Sequence, residues 1–114
     1  MLKLCNNMIT YAEFMAMSEA VKLAEAVGID FNLLRQVGRS NGIVNDTMHQ
    51  FISNRNEFAK SCSKEQMEET FGVFGKLGEK DLDCALSCAA ELGLKLPSTK
   101  ALHRNVYELF MNKC

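Results

Sequence analysis

Lys3 and Asn7 stand four residues apart, so on a helix their side chains rise from one face and can converge on one small ligand. That pairing suits alcohol–carbonyl chemistry. A lysine ammonium can give a proton to a developing alkoxide and, once deprotonated, can take one from a hydroxyl. An asparagine amide can donate to a substrate oxygen while its own carbonyl holds the lysine. The same spacing also arises on solvated helix faces, so by itself it specifies no site. Cys84 and Cys88 share that four-residue spacing and could bind a soft metal with two further ligands, but no His or Cys pair of suitable spacing accompanies them. No metal is expected, and buried reduced thiols are the expectation for this pair. His49 and His103 are isolated in sequence and read as structural histidines, while Glu65, Glu68 and Glu69 read as a solvated face.

The elements that position such residues must fit into one domain, because 114 residues leave room for a single core. Hydrophobic residues make up 47% and charged residues 24% of the chain, which suits a folded globular domain and not a disordered one. Thirteen Lys+Arg against 14 Asp+Glu give a formal charge of -1, which argues against nucleic acid as a partner. The start Met1-Leu2-Lys3-Leu4-Cys5-Asn6-Asn7 has no apolar stretch of secretory length. The apolar segment Met8 to Val27 carries Glu13, Glu19, Lys22 and Glu25, so no membrane span is expected. Cys5, Cys62, Cys84, Cys88 and Cys114 form an odd set without C-x-x-C spacing, which fits reduced thiols and a cytoplasmic location.

Along the chain the apolar residues follow a helical period, and Pro97 is the sole proline, so an all-α fold is predicted. Leu4, Met8, Tyr11, Met15, Ala20, Leu23 and Val27 place one long helix over 2–27, stopped by Gly28. Its consecutive Phe14-Met15-Ala16-Met17 spreads apolar surface over more than one face, as in a helix covered by several neighbours. Asp30 caps a short helix over 31–37, and the turn Ser40-Asn41-Gly42 leads into a third helix through Met48, Phe51 and Ile52. Ser53-Asn54-Arg55-Asn56 reads as its frayed end. Residues 57–69 read as a polar connection or short helix, and Phe71-Gly72-Val73-Phe74-Gly75 as extended or loop. A helix follows over 81–92 with Gly93 as its stop, then a linker through Pro97, then a last helix capped by Ser98 or Thr99.

Lys3-Leu4-Cys5-Asn6-Asn7 at the head of a long helix resembles the K-x-x-N-N signature of the β-hydroxyacid dehydrogenase family, which includes 3-hydroxyisobutyrate dehydrogenase and the tartronate semialdehyde and glyoxylate/succinic semialdehyde reductases. Glu19-Ala20, Leu23-Ala24 and Gly28-Ile29-Asp30 are similar to the family's E-A-x-x-L-A-x-x-x-G-[LI]-D. Ser40-Asn41-Gly42 resembles its S-x-G turn, Lys80-Asp81-Leu82 its K-D-L, and Leu96-Pro97 the proline before its last helix. Val73 stands where the family usually carries a phenylalanine, with Phe71 and Phe74 beside it, and Ile43-Val44-Asn45 departs from the residues usual after S-x-G.

The resemblance implies a bundle of five to six helices like the C-terminal domain of 6-phosphogluconate dehydrogenase, spanning residues 1–114. It implies Lys3 as general acid/base with Asn7 positioning it and the substrate, Lys80 and Asp81 near the cofactor, and Ser40 and Gly42 at the substrate. It further implies NAD or NADP, a small hydroxy acid, a partnering Rossmann domain and a homodimer or larger homo-oligomer. No G-x-G-x-x-G dinucleotide fingerprint occurs in this sequence, so activity is expected of the complete enzyme and not of these residues alone. A different expectation is a non-catalytic helical module for self-association, suggested by the all-round apolar long helix.

Overall fold

A computed structural model describes residues 1–113, and the reduced-thiol expectation for Cys114 lies outside the described residues. Six α-helices and one π-helical turn account for the regular structure, with no strand among the described residues. They are α1 (Leu2–Ala26), α2 (Phe31–Ser40), α3 (Asp46–Ser61), α4 (Lys64–Met67), a π-turn (Glu68–Gly72), α5 (Val73–Glu91) and α6 (Pro97–Phe110). The all-α bundle with a long first helix agrees with the sequence expectation. No helix among the described residues is long and apolar enough to cross a membrane.

Local signals set several helix ends. After α1 and α5, Gly28 (φ 81°) and Gly93 (φ 70°) take the left-handed conformation. The following amides reach back, Ile29 to the Ala24 carbonyl and Leu94 to the Ala89 carbonyl, each at 2.8 Å, which closes both helix ends in the Schellman manner. Asp30 caps α2 by accepting from the Asn32 amide at 2.7 Å. Asn45, not foreseen, caps α3 by accepting from the Met48 amide at 2.9 Å, and Ser63 with Gln66 forms a capping box on α4. Ser98 and Thr99 do not cap α6: Leu96 holds the cap position with no side-chain bond, and Pro97 starts the first turn, where its missing N–H is no loss.

Two segments depart from the sequence reading. Ser53–Asn56 is no frayed end but the middle of α3, where Arg55 is 1% exposed. Its Nη1 donates to the Leu109 carbonyl at 2.8 Å and Ser18 Oγ at 3.0 Å, and its Nη2 to Asn56 Oδ1 at 2.8 Å. One guanidinium thus ties α1, α3 and the end of α6, where the negative end of the helix dipole favours a cation. Phe71–Gly75 is helical rather than extended or loop, because Phe71 and Gly72 close the π-turn and α5 begins at Val73.

Glycine at 75 and 78 lets α5 lie close against α6. A Cβ on Gly75 would stand 2.9 Å from Tyr107 Cδ2 and 3.3 Å from Tyr107 Cα, and one on Gly78 would stand 3.0 Å from Val106 Cγ2. The core then fills from four helices: Tyr11, Phe14 and Val21 of α1, Ile52 of α3, Leu82 of α5, and Val106, Leu109 and Phe110 of α6. The buried face of α1 is rotated from the predicted stripe, since Leu23 and Val27 are exposed and Met17 and Ser18 are buried. Gly75→Ala is expected to lower stability in urea unfolding by about 1–3 kcal/mol through overpacking, although alanine is the better helix former by about 1 kcal/mol. Equal or greater stability would contradict this close approach.

Candidate active site

The early part of α1 crosses the middle of α5, and the crossing is held by one carboxylate. Asp81 Oδ2 accepts from Tyr11 Oη at 2.9 Å and from Asn7 Nδ2 at 3.3 Å. Asn7 and Tyr11 are one α-helical step apart in sequence, so both face Asp81 from the same side of α1. An ionised carboxylate only accepts hydrogen bonds, which fixes the asparagine with its NH₂ toward Asp81. The second amide N–H and the carbonyl Oδ1 of Asn7 are left for other work.

Tyr11 is 7% exposed, and its hydroxyl is pushed far above the ordinary tyrosine range, by burial first and then by the bond to Asp81 and its negative charge. It is held protonated and donating.

An open recess of about 470 Å³ lies over this crossing, lined by Met1, Lys3, Leu4, Asn7, Leu77, Lys80, Asp81, Cys84 and Cys88. Four of the sequence-predicted residues therefore come together here: Lys3 and Asn7 from α1, Lys80 and Asp81 from α5. Lys3 and Lys80 are exposed, whereas Asn7 and Asp81 are half-buried. Asp81 does not start a helix; it sits eight residues inside α5 and spends its Oδ2 on α1.

Ser40 and Gly42 are not among the residues lining the recess. Ser40 ends α2, and Gly42 (φ 78°) turns the chain so that the Ile43 and Val44 amides return to the Gly38 carbonyl. Cys84 is exposed and Cys88 half-buried, both as free thiols, so neither is the buried core cysteine expected. Burial and the neighbouring Cys84 raise the Cys88 thiol above its ordinary value. Among the described residues no group of three His, Cys, Asp or Glu is placed to hold a metal ion. His49 pairs through Nε2 with Ser53 Oγ at 3.3 Å and meets Phe31 edge-on, away from the recess.

Tyr11 is the residue that sequence reading passed over, because it fits the apolar stripe of α1. The available signal was the series Lys3, Asn7, Tyr11 at steps of four on one helix. Tyr11→Phe is expected to lower stability near neutral pH by about 1 kcal/mol, the usual worth of a hydrogen bond. The folded-state value of this hydroxyl is raised, so its contribution is complete below the unfolded value of about 10 and is lost as pH climbs beyond it. Urea unfolding should therefore give a difference between wild type and Tyr11→Phe that is constant from pH 6 to about 9 and shrinks above about 10. A difference that grows in alkali would contradict the bond.

Comparison with known proteins places the chain in a family. Residues 1–113 match the family model described as NAD-binding of NADP-dependent 3-hydroxyisobutyrate dehydrogenase. Uncharacterized oxidoreductases from two strains of Mycobacterium tuberculosis are each 32% identical to the chain over 96 residues, 84% of this chain and 32% of theirs. The chain thus spans about a third of the length of these curated relatives. No solved structure gives a significant match. A match over 113 residues, with a helical bundle to go with it, means that this chain belongs to the NAD-binding family of NADP-dependent 3-hydroxyisobutyrate dehydrogenase.

Proposed function

We propose that the chain is the substrate-side helical domain of an NAD(P)-dependent β-hydroxyacid dehydrogenase, acting on the 3-hydroxy or 2-hydroxy group of a small acid. The observation that carries this reading is the recess in which Lys3, Asn7, Lys80 and Asp81 meet at the crossing of α1 and α5. Lys3 Nζ takes the hydroxyl proton during oxidation and returns it during reduction. Asn7, its amide turned by Asp81, donates its second N–H to the substrate oxygen and so fixes the hydroxyl beside Lys3. Tyr11 acts through Asp81 as a positioning residue. Ser40 and Gly42 make no substrate contact within a single chain on this reading.

On this reading the recess takes the nicotinamide end of the dinucleotide. Lys80 is exposed beside Asn7 and is free to meet the nicotinamide end, whereas Asp81 is engaged by α1. The glycines at 75 and 78 serve helix packing against α6 and cradle no phosphate. The pyrophosphate belongs to a glycine-rich turn supplied from outside these residues. When bound, the nicotinamide supplies the hydride acceptor or donor.

Absorbance at the reduced-nicotinamide band tests this. The 114-residue chain with NAD or NADP and 3-hydroxyisobutyrate is expected to give no steady reduced cofactor. The enzyme that includes a dinucleotide-binding domain turns over, and Lys3→Ala in it lowers kcat by about 10²–10⁴-fold, the usual range for a general acid/base. Turnover by the chain alone, or a Lys3→Ala enzyme of full activity, would contradict the reading.

A second reading concerns assembly and has its own observation. Leu23 of α1, Val27 just after it, and Leu33 and Val37 of α2 are each more than half exposed, at 52–70%. Leu33 and Val37 share one helix face, and such apolar surface suits contact between copies of the chain. Light scattering is expected to give a dimer or larger species at micromolar concentration, reduced to monomer by Val37→Asp. A wild-type chain that stays monomeric at high concentration would sink this reading.

A further inference from the structure

A groove of about 380 Å³ runs beside the Lys3 recess, and Asn7 and Leu77 line both. Its remaining wall is aromatic. Phe14 and Phe51 stack at 4.2 Å between ring centroids, and Phe110 meets Phe51 edge-on at 5.0 Å. Phe74 lies over Phe110 at 6.4 Å, and Phe71 completes the lining from the π-turn. Phe14 and Phe110 are buried and form the floor, whereas Phe74 is 53% exposed and Leu77 48% exposed at the mouth.

The polar groups at the groove are few and mostly spoken for. Tyr11 Oη points its bond to Asp81, Thr10 Oγ1 donates to the Asn6 carbonyl at 3.1 Å, and Asn7 stands at the junction with the recess. A pocket with apolar walls and one orienting amide at its edge is the usual form of a small-molecule site, and about 380 Å³ falls within the customary ~300–1,000 Å³. Ring faces and edges on several sides give an apolar group dispersion contacts that water cannot replace. On the recess side of Asn7, Lys3 and Lys80 suit a carboxylate, and on the groove side the rings suit an apolar substituent.

We infer that this groove is the side-chain subsite of the substrate, and that the acid taken carries a bulky apolar substituent, a phenyl ring or a chain of similar bulk, on its hydroxyl carbon. The inference rests on the dehydrogenase reading above. The groove's position, continuous with the recess through Asn7, favours the substrate's own substituent over a segment of another chain.

The test compares 3-hydroxy-3-phenylpropionate with 3-hydroxypropionate on the full chain, by titration and by amide and aromatic NMR signals. The phenyl acid is expected to bind about tenfold tighter or more, from burial of its ring. It should move signals of Lys3, Asn7 and Phe74 together, while the short acid moves those of Lys3 and Asn7 alone. Phe74→Ala, at a half-exposed position at the mouth of the groove, should cut the preference to about threefold or less. Equal affinities, with Lys3 and Asn7 moved by both acids, overturn the inference and leave the dehydrogenase reading standing. Movement of the ring signals without Lys3 and Asn7 also overturns it, because the groove is then a separate apolar site. No movement at Lys3, Asn7 or Lys80 with either acid overturns the dehydrogenase reading and this inference with it.

Discussion

The carboxylate of Asp81 is the constraint on which the site depends. It takes both the hydroxyl of Tyr11 and the amide of Asn7 on one oxygen, so it fixes where α1 crosses α5 and which way the asparagine faces. Lys3 follows as a consequence, one helical step before Asn7 in the first turn of α1. That turn has no side-chain cap, and its amides lack partners within the helix, so the anchor at Asn7 and Tyr11 is what holds the lysine over the recess. The anchor needs Asp81 far from the end of α5, and α5 supplies this by starting at Val73.

A second anchor holds α1 further along, at Ser18. Arg55 binds Ser18, Asn56 and the Leu109 carbonyl with its guanidinium 5.7 Å over the Phe51 ring. A charge so deeply buried is tolerable only with its hydrogen bonds made, which obliges α3 to continue past Ser53 and α6 to end at a fixed place. Phe51 in turn stacks on Phe14, so this anchor and the aromatic groove are parts of one packing arrangement. Asp81 shapes the polar recess, and Arg55 supports the aromatic groove beside it.

How far these features were legible in the sequence follows from their physics. Helix ends written in local chemistry, such as Gly28, Gly93 and Asp30, were readable because one or two residues determine them. The long α1 and the pair Lys3 and Asn7 were readable from helical spacing. The start of α5 was not, because Gly72, Gly75 and Gly78 lower helix propensity, and the reason for them is the close approach of α6, a tertiary fact. Arg55 was hidden for the same reason, since Ser53, Asn54 and Asn56 look like a polar helix end until Ser18 and Leu109 arrive from other helices. Asp81 was legible as part of a motif, but its partner Tyr11 was counted among the apolar residues, because a buried hydroxyl declares its role only when the acceptor is in view.

The central claim is that Asp81 works through Asn7, and a double-mutant cycle on turnover tests it most directly. Asn7→Ala, Asp81→Ala and the double variant would be compared by kcat/KM for a hydroxy acid and NAD(P), in the enzyme as its own cells make it. The account predicts strong non-additivity, with the double variant about as impaired as the worse single one. Losses that simply add would mean that the two residues act independently, and the account of the site would then be wrong.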